Sequence, residues 1–308
     1  MTSETSSNAP RNRLFCFGLG FSARALIERL DRRDWQIAGT VRDAEAADRW
    51  HSDGVEALIF DGKAQTPGIE EAIAGATHIL ISVPPDAPPP EGLGDPVLAH
   101  YAMALSHAAN LNWVGYLSTV GVYGDHDGGW VDETTRAAPV SRRSHHRRAA
   151  EMAWEAFSAE TGKRVIIFRL AGIYGPGRSA LENVMKGRAR RIIKPGQRFN
   201  RIHVEDIARV VLASMVGHGT APILNVSDDL PAPPQDVIAL AAELMGVPLP
   251  PEVAFDDADL SAMAKSFYGE NKQVRNDLLK SDLGLTLRYA TYKEGLQSLA
   301  RGLKNKSS

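Results

Sequence analysis

The amino-acid sequence predicts an α/β protein whose parallel sheet is covered by helices on both faces. Two observations lead to this fold class. Short apolar runs alternate with segments of helical periodicity through the first 170 residues, and small or polar residues follow the end of each apolar run. This alternation is typical of parallel strands joined by crossover helices. A hydrophobic content of 44% is enough to form a sizeable core.

The first strand and helix carry a glycine motif. The apolar run 14–17 is followed by Gly18, Gly20 and Ala23 at G-x-G-x-x-A spacing. Gly18 permits a tight turn, Gly20 lets the backbone approach a pyrophosphate, and Ala23 allows the helix to pack closely on the strand. The N–H groups at the helix N-terminus favour phosphates. The motif therefore predicts a dinucleotide site, to which we assign Gly18, Gly20, Phe21, Ser22 and Ala23.

The remaining elements of the first half follow in regular order. The predicted strands are residues 14–17, 35–41, 55–60, 77–83, 113–118 and 164–169. The first predicted helix follows the glycine turn, with Ala25, Leu26 and Leu30 at helical intervals, and the next ones span 44–50, 69–74, 97–109 and 141–160. In an open α/β sheet, ligands bind at the carboxyl ends of the strands, so we expect the functional residues there.

The second half of the sequence breaks this alternation. We expect helices at 181–190, 204–215, 235–245 and 292–303, an extended piece at 199–203, a strand at 223–226 and a linker at 247–251. Some of these elements complete the sheet, and others form a separate lobe. We therefore predict a tail at 1–12, a nucleotide-binding domain at 13–175, and a lobe at 176–308 from which residues near 204–230 return to the first domain.

Composition excludes several classes of protein. The net charge of −2 gives no field that would attract nucleic acid or an anionic membrane. No apolar stretch approaches the roughly 20 residues that span a bilayer. Residues 1–13 are polar and lack the apolar core of a signal peptide, so we expect a disordered tail. The single cysteine, Cys16, cannot form an internal disulfide. We therefore expect a soluble, cytoplasmic protein.

The charged residue after the second strand predicts the cofactor. Arg42 lies roughly 20 residues beyond the glycines, where an acid binds the ribose of NAD and an arginine suits the 2′-phosphate of NADP. Asp43 follows it directly, and this acid leaves NAD as an alternative cofactor. We favour NADP, because the arginine fork and planar face suit both phosphate and adenine.

Four stretches resemble the extended short-chain dehydrogenase/reductase superfamily. They are FGLGFSA at 17–23, STVGVYGD at 118–125, RLAGIYGPGR at 169–178 and RIHVEDIA at 201–208. The resemblance covers nearly all of the chain after the tail. It implies a Rossmann-type doubly wound parallel sheet with a small interleaved C-terminal substrate lobe. It also implies an NAD(P)-binding oxidoreductase, or an enzyme like the nucleotide-sugar epimerases and dehydratases of that family.

The family's catalytic Tyr-x-x-x-Lys pair is missing from this sequence. In the family, the tyrosine exchanges a proton with the substrate, and the lysine holds the ribose and lowers the tyrosine pKa. Aligning AAE at 149–151 with the family's usual helix places Arg143 at the tyrosine position and Arg147 at the lysine position. Residues 139–160 contain neither tyrosine nor lysine. This departure resembles the atypical, YeeZ-like branch, whose reaction the resemblance does not supply.

The arginines of this helix have two interpretations. Most of the cluster at 142–148 forms a solvated face, while Arg143 and Arg147 point to the cleft by family geometry and could bind an anionic substrate group. His145 and His146 lack the partners of a metal site, so we expect no metal, although either could relay a proton.

The resemblance also implies roles for residues at other strand ends. Thr119 matches the catalytic Ser/Thr, with Ser118 as the adjacent alternative, and a strand-end cap is the competing interpretation. Asp61 lies either near the adenine amino group or in a structural turn. The expected cofactor wall comprises Ser82, Val83, Pro84 and Tyr174.

The expected substrate contacts lie further along the chain. Arg178 and Arg201 occupy positions where the family's lobe contacts a diphosphate, and His203 lies beside them. For His203 a buried junction residue is the favoured alternative.

Two functions remain open. The first is the NAD(P)-dependent enzyme, acting on a small molecule with an anionic or nucleotide-linked group. The second is a catalytically silent NAD(P)-binding protein that senses redox state or binds a partner. The sequence is compatible with a homodimer.

Overall fold

A computed structural model describes residues 12–307 of the chain. The strands are β1 (Asn12–Phe17), β2 (Trp35–Val41), β3 (Glu56–Ile59), β4 (His78–Ile81), β5 (Trp113–Thr119), β6 (Trp130–Val131), β7 (Val165–Leu170), β8 (Gly172–Tyr174), β9 (Arg191–Ile193), β10 (Arg201–His203), β11 (Ile223–Val226), β12 (Glu252–Ala254) and β13 (Gln273–Val274).

The helices alternate with the strands in the first half of the chain. They are α1 (Phe21–Ile27), α2 (Ala44–Ser52), α3 (Ile69–Gly75), α4 (Pro96–His107), α5 (Arg142–Thr161), α6 (Ala180–Met185), α7 (Val204–Met215), α8 (Pro234–Met245), α9 (Ala262–Tyr268), α10 (Asp277–Leu283) and α11 (Tyr292–Ser307), with 3-10 helices at Val120–Tyr123 and Phe255–Asp257.

A seven-stranded parallel sheet confirms the predicted α/β, Rossmann-type fold. Its strand order is β11-β7-β5-β4-β1-β2-β3. In β1, Phe15 lies opposite Ala38 of β2 on one side and Ile79 of β4 on the other. Because the chain leaves β1 for β2 and returns to the other side of β1 for β4, the sheet is doubly wound.

The chain divides into two compact units. The first contains the described residues up to Leu117 together with Ala149–Ile167, and the second contains Ser118–Arg148 and the residues from Phe168 onward. Of the predicted tail, residues 1–11 lie outside the described residues, and Asn12 already belongs to β1.

Aromatic packing fixes the core of the first unit. All four residues of β4 are buried, and the ring of Phe17 meets Phe15 and Phe60 edge-on at centroid distances of 5.0 and 5.8 Å. Asp95 caps α4 through the Val97 and Leu98 amides, and its second oxygen accepts the indole N–H of Trp154 at 3.1 Å.

The second unit is built around α6, α8 and α11. Their apolar faces enclose Leu181, Ala241 and Leu296, each at most 1% exposed. The short strands β8 and β10 pair in parallel beside them, with Ile173 opposite Ile202.

The structure corrects the predicted second half in several places. The predicted helix 181–190 ends at Met185, because Gly187 adopts a left-handed conformation and residues 191–193 form β9 with β12 as its partner. The elements α9, α10 and the paired strands β6 and β13 were not predicted. In contrast, β2, α7 and β11 have the predicted bounds. Within residues 12–307, no helix has the length and apolar character that crossing a membrane requires.

Candidate functional site

The turn between β1 and α1 contains two glycines with different structural needs. Gly18 has a φ of +93°, and its N–H donates to Thr40 Oγ1 at 2.9 Å. A Cβ atom on Gly18 would lie 3.2 Å from Val83 Cγ1. Both the left-handed backbone and this close approach favour glycine, so the fold itself requires Gly18.

Gly20 is different, because the fold does not require it. Its φ of −92° is open to any residue. Apart from its chain neighbours, a Cβ atom on Gly20 would meet only Ser82 Oγ, at 4.0 Å. The space in front of Gly20 is therefore free in the protein, as expected where a ligand approaches the backbone.

The other residues of the motif differ in exposure. Ala23 is completely buried and Ser22 is 8% exposed, so both pack into the first unit. Phe21 is half-buried at the start of α1. The small side chain of Ala23 is thus explained by packing, as the motif predicts.

Arg42 and Asp43 have separate roles at the end of β2. The Asp43 carboxylate caps α2, accepting the N–H of Ala46 at 2.8 Å. Arg42 is exposed. Because Asp43 already serves the helix, the exposed charged group that β2 presents at its end is the guanidinium of Arg42.

The ends of β3 and β4 carry the next predicted residues. Asp61 is exposed, accepts the N–H of Lys63 at 2.9 Å and lies 3.6 Å from its ammonium group. This turn, chiefly through the Lys63 amide, lowers the pKa of Asp61. Ser82 and Val83 are half-buried and Pro84 is exposed. They follow β4, which ends two residues before the predicted bound because the prolines that follow cannot donate to a ladder.

Hydroxyl groups converge on Gly121 in the second unit. Thr119 Oγ1 accepts the Gly121 N–H at 3.1 Å and so caps the 3-10 helix, while Ser118 is buried. On Gly121, a Cβ atom would lie 2.9 Å from Ser144 Oγ, which accepts the Ser141 hydroxyl at 2.8 Å. Thr119 therefore lies near the first turn of α5, although its hydroxyl oxygen already serves as a cap.

Arg143 contacts an aromatic ring that the sequence did not point to. Its guanidinium carbon lies 4.7 Å from the ring centroid of Phe267 in α9. Arg143 is exposed and Phe267 is 48% exposed. Arg147, one helical turn later, is half-buried.

Two tyrosines of the second unit have buried side chains. Tyr123 is fully buried and donates its hydroxyl to Asn225 Oδ1 at 2.8 Å, and burial raises its pKa. Tyr174 is 8% exposed, and burial raises its pKa strongly. Its hydroxyl lies directly against the backbone of Gly295 in α11. We therefore withdraw Tyr174 from the predicted cofactor wall, because its hydroxyl is turned into the core of its own unit.

The predicted substrate arginines differ in accessibility. Arg178 is exposed in the turn after β8. Arg201 is half-buried and donates through one nitrogen to the carbonyls of Phe199 and Ala232, at 3.0 and 3.2 Å. Burial lowers the pKa of Arg201, opposed by the nearby Asp228 carboxylate.

His203 is a buried junction residue, the alternative that the sequence favoured. It is 1% exposed, and its Nδ1 accepts the Glu205 N–H at 3.1 Å, which caps α7. The rings of Tyr174 and Tyr289 lie 5.1 and 4.2 Å from its centroid. Burial lowers the pKa of His203 to about 4, so it is neutral near pH 7. A direct role in substrate binding is therefore no longer expected.

Asp228 is a buried acid that sequence reasoning missed. It is 1% exposed, and its Oδ1 accepts the Leu230 N–H at 3.2 Å. Within the described part of the chain, its Oδ2 has no hydrogen-bond partner. Burial raises the pKa of Asp228 to about 8. The available signal was its position two residues after the buried strand β11.

Metal ligation finds no support in the described part of the chain. There, no three His, Cys, Asp or Glu side chains are grouped so that they could hold a metal ion.

Comparison with known proteins identifies the family. Residues 18–226 match the NAD dependent epimerase/dehydratase family. The chain belongs to this family. The resemblance to extended short-chain dehydrogenases/reductases is thereby confirmed.

Three individual proteins are similar to this chain. Protein YeeZ of Escherichia coli (strain K12) is 26% identical over 218 residues, which cover 68% of this chain and 75% of YeeZ. A functionally unknown conserved protein from Silicibacter pomeroyi DSS is 48% identical, with a TM-score of 0.84 over 95% of this chain and 99% of that one. The dTDP-glucose 4,6-dehydratase of Bacillus anthracis, solved with NAD, shares the fold at 16% identity, with a TM-score of 0.76 over 96% and 97% of the two chains.

Proposed function

We propose that this member of the epimerase/dehydratase family binds a nicotinamide dinucleotide at the β1–α1 turn and acts as an oxidoreductase or epimerase-like enzyme. The observation that carries the proposal is Gly20. Neither its backbone angles nor its surroundings require glycine, whereas both require it at Gly18. Because the fold does not need glycine at position 20, the glycine in this motif of an NAD-dependent family is best explained by a bound ligand that a Cβ atom would obstruct.

NADP is the cofactor that the exposed charges favour. Arg42 presents an exposed guanidinium after β2, while the Asp43 carboxylate caps α2. An arginine at this position suits a 2′-phosphate, and an acid engaged as a helix cap is poorly placed to hold a ribose hydroxyl. We therefore propose NADP as the preferred cofactor and NAD as the weaker one.

The proposed chemistry differs from that of the family in its proton step. A bound nicotinamide dinucleotide supplies or accepts a hydride. Arginine side chains do not serve as general acids or bases in proteins, so Arg143 cannot take the role of the family's tyrosine. It can stabilise negative charge on a substrate instead, as can Arg147 one turn later. Thr119 supplies a hydroxyl near the start of α5.

The substrate class follows from this change. Losing a positioned acid/base costs roughly 10²- to 10⁴-fold in rate, so neutral substrates should turn over slowly. An anionic group on the substrate would engage the arginines directly. Arg178 is exposed in the turn after β8. A nucleotide-linked sugar, of the kind that the name dTDP-glucose 4,6-dehydratase describes for that enzyme, also carries phosphates.

Substitutions at Gly20 test the cofactor site. We expect Gly20→Ala to weaken NADPH and NADH binding and Gly20→Val to abolish it in calorimetric titrations, with melting temperatures close to wild type because a Cβ meets only Ser82 Oγ. Gly302→Val is the control, since a Cβ there meets nothing within 4 Å. Equal affinities for all four proteins would remove the dinucleotide from this turn.

A catalytically silent NAD(P)-binding protein is the second candidate. It is favoured by the absence of tyrosine and lysine from residues 139–160 and by the burial of Tyr123 and Tyr174. This candidate shares the dinucleotide site and predicts no hydride transfer with any substrate.

A further inference from the structure

We propose that α9 is a specificity element, in which Phe267 holds Arg143 so that its guanidinium binds a carboxylate of the substrate. This inference rests on the proposed function, because it assigns the substrate class of the same α5 arginine. It begins from one contact, the 4.7 Å between the Arg143 guanidinium carbon and the Phe267 ring centroid.

The hydrogen-bond donors of Arg143 are free to meet a ligand. Across residues 12–307, no hydrogen bond or ion pair engages its guanidinium, and the side chain is exposed. A guanidinium that faces a ring keeps its N–H groups at its edge, in its own plane. That edge is the part that forms paired hydrogen bonds with a carboxylate.

The backbone at Phe267 is held by its neighbours, although the Phe267 side chain is exposed. The next residue, Tyr268, is 7% exposed and packs against Phe199 and Phe255 at ring distances of 5.1 and 5.0 Å. The carbonyl of Tyr268 accepts the ammonium group of Lys194. The C-terminal end of α9 is therefore anchored by its own packing.

The segment that follows α9, residues 270–275, adds a second anchor. Asn271 donates its N–H to Asp125 Oδ1 at 2.7 Å and its side-chain amide to the Gly196 carbonyl at 3.0 Å. Lys272 is 6% exposed, donates to the Gly124 carbonyl at 2.7 Å and pairs with Glu270 at 2.6 Å. Since this segment is tied to two loops, the Phe267 ring restrains Arg143 and reduces the side-chain entropy that the arginine loses on binding.

The chemistry of the ligand follows from the two side chains and their neighbour. A planar fork suits a planar carboxylate. Met263 is 64% exposed and lies four residues before Phe267, on the same face of α9. The face therefore offers an apolar contact beside a carboxylate-binding edge. We infer a small carboxylate with an apolar or aromatic body as the substrate class.

The probe for this inference is benzoate, with benzamide as its neutral match and phenyl phosphate as the competing anion. Binding is followed by the NMR signal of the Arg143 side-chain N–H in the full chain without dinucleotide. We expect benzoate to shift this signal saturably, benzamide to leave it unchanged, and phenyl phosphate to bind more weakly.

The variants separate the stacking contact from simple charge. Phe267→Leu should weaken benzoate binding by about two- to fivefold, the effect of losing an exposed cation–π contact. Phe267→Tyr retains the ring and should keep the wild-type affinity, whereas Arg143→Lys should lose the fork and weaken binding further. Trp130→Leu is the matched control, because Trp130 is 49% exposed and also stacks with an arginine, Arg275, at 5.1 Å.

Several results would overturn the inference. These are no benzoate binding, equal binding of benzamide, stronger binding of phenyl phosphate, or an equal loss in the Trp130→Leu control. The same proteins are titrated with NADPH, which should bind to Phe267→Leu as to wild type. If benzoate binds as expected but NADPH binds neither to wild type nor to any variant, the proposed function fails while the carboxylate site stands.

Discussion

The Asp228→Asn variant should gain stability relative to wild type as the pH rises, because wild type loses stability over that range. Asp228 is 1% exposed, and burial raises its pKa from 3.8 to about 8, although the Leu230 amide and the Arg201 guanidinium oppose that change. In the folded protein the carboxyl therefore stays protonated at pH values where it is ionised in the unfolded chain. Asparagine has the same shape as the neutral acid and does not titrate.

The sign and size of the effect follow from proton linkage. Between the two pKa values the folded state binds a proton that the unfolded state has released, so the free energy of unfolding falls as the pH rises. One proton corresponds to about 1.4 kcal/mol per pH unit. From about pH 5 to 7, within this window, wild type should lose roughly 3 kcal/mol relative to Asp228→Asn.

Urea unfolding of both proteins at about pH 5, 6 and 7 measures this difference directly. Taking the difference between the two proteins cancels groups that titrate in both, including His203, whose lowered pKa has the opposite effect on stability. Asp257→Asn, which removes an exposed carboxylate elsewhere on the chain, is the control. A constant difference between wild type and Asp228→Asn across the three pH values would refute a protonated, buried Asp228.

Two further predictions concern cofactor choice and the proton donor. Arg42→Ala should weaken NADPH binding by about 1.5–3 kcal/mol, the scale of a charged hydrogen bond, and leave NADH nearly unchanged in parallel titrations. A wild type that prefers NADH would overturn this prediction without the variant. Tyr123→Phe should cost about 1–2 kcal/mol of stability, because Asn225 loses its donor, and should keep any hydride transfer of the wild type. A hundredfold or greater loss of turnover, the ~10² scale of a lost acid/base, would show that Tyr123 supplies the proton.

The first half of the fold could be predicted because its signals are local. The strand β2 has the predicted bounds, since its buried apolar residues Trp35, Ile37 and Val41 recur at every second or fourth position and the charged pair 42–43 ends it. The helix α2 begins after Asp43, whose side chain caps it. In such segments the sequence pattern and the packing agree.

The second half was harder to predict because its short elements depend on distant partners. The two residues of β6 pair with the two of β13 across about 140 residues of sequence, and β9 pairs with β12. Two-residue strands have no periodicity to detect. Only Tyr268 is buried within α9, so that helix has no apolar stripe.

The candidate site was predictable in its residue types but only partly in their surroundings. The motif marked both Gly18 and Gly20, yet only the structure separates the glycine that the fold requires from the one that it leaves free. Likewise, Tyr174 follows a strand as expected, but α11 covers its hydroxyl, and no local pattern indicates a helix more than 100 residues away. Arg143 was found by alignment, whereas Phe267 lies in a helix that the sequence did not predict.

The most direct test of the central claim is a stopped-flow measurement of hydride transfer from bound NADPH to a panel of carbonyl compounds and sugar nucleotides. The account predicts transfer only to substrates with an anionic group, with a loss in Arg143→Ala. The account would be contradicted if a neutral substrate turned over at a rate usual for the family and if that rate were unaffected by Arg143→Ala and by replacing both His145 and His146 with alanine. That result would mean that the alignment of α5 is wrong and that another residue supplies the proton.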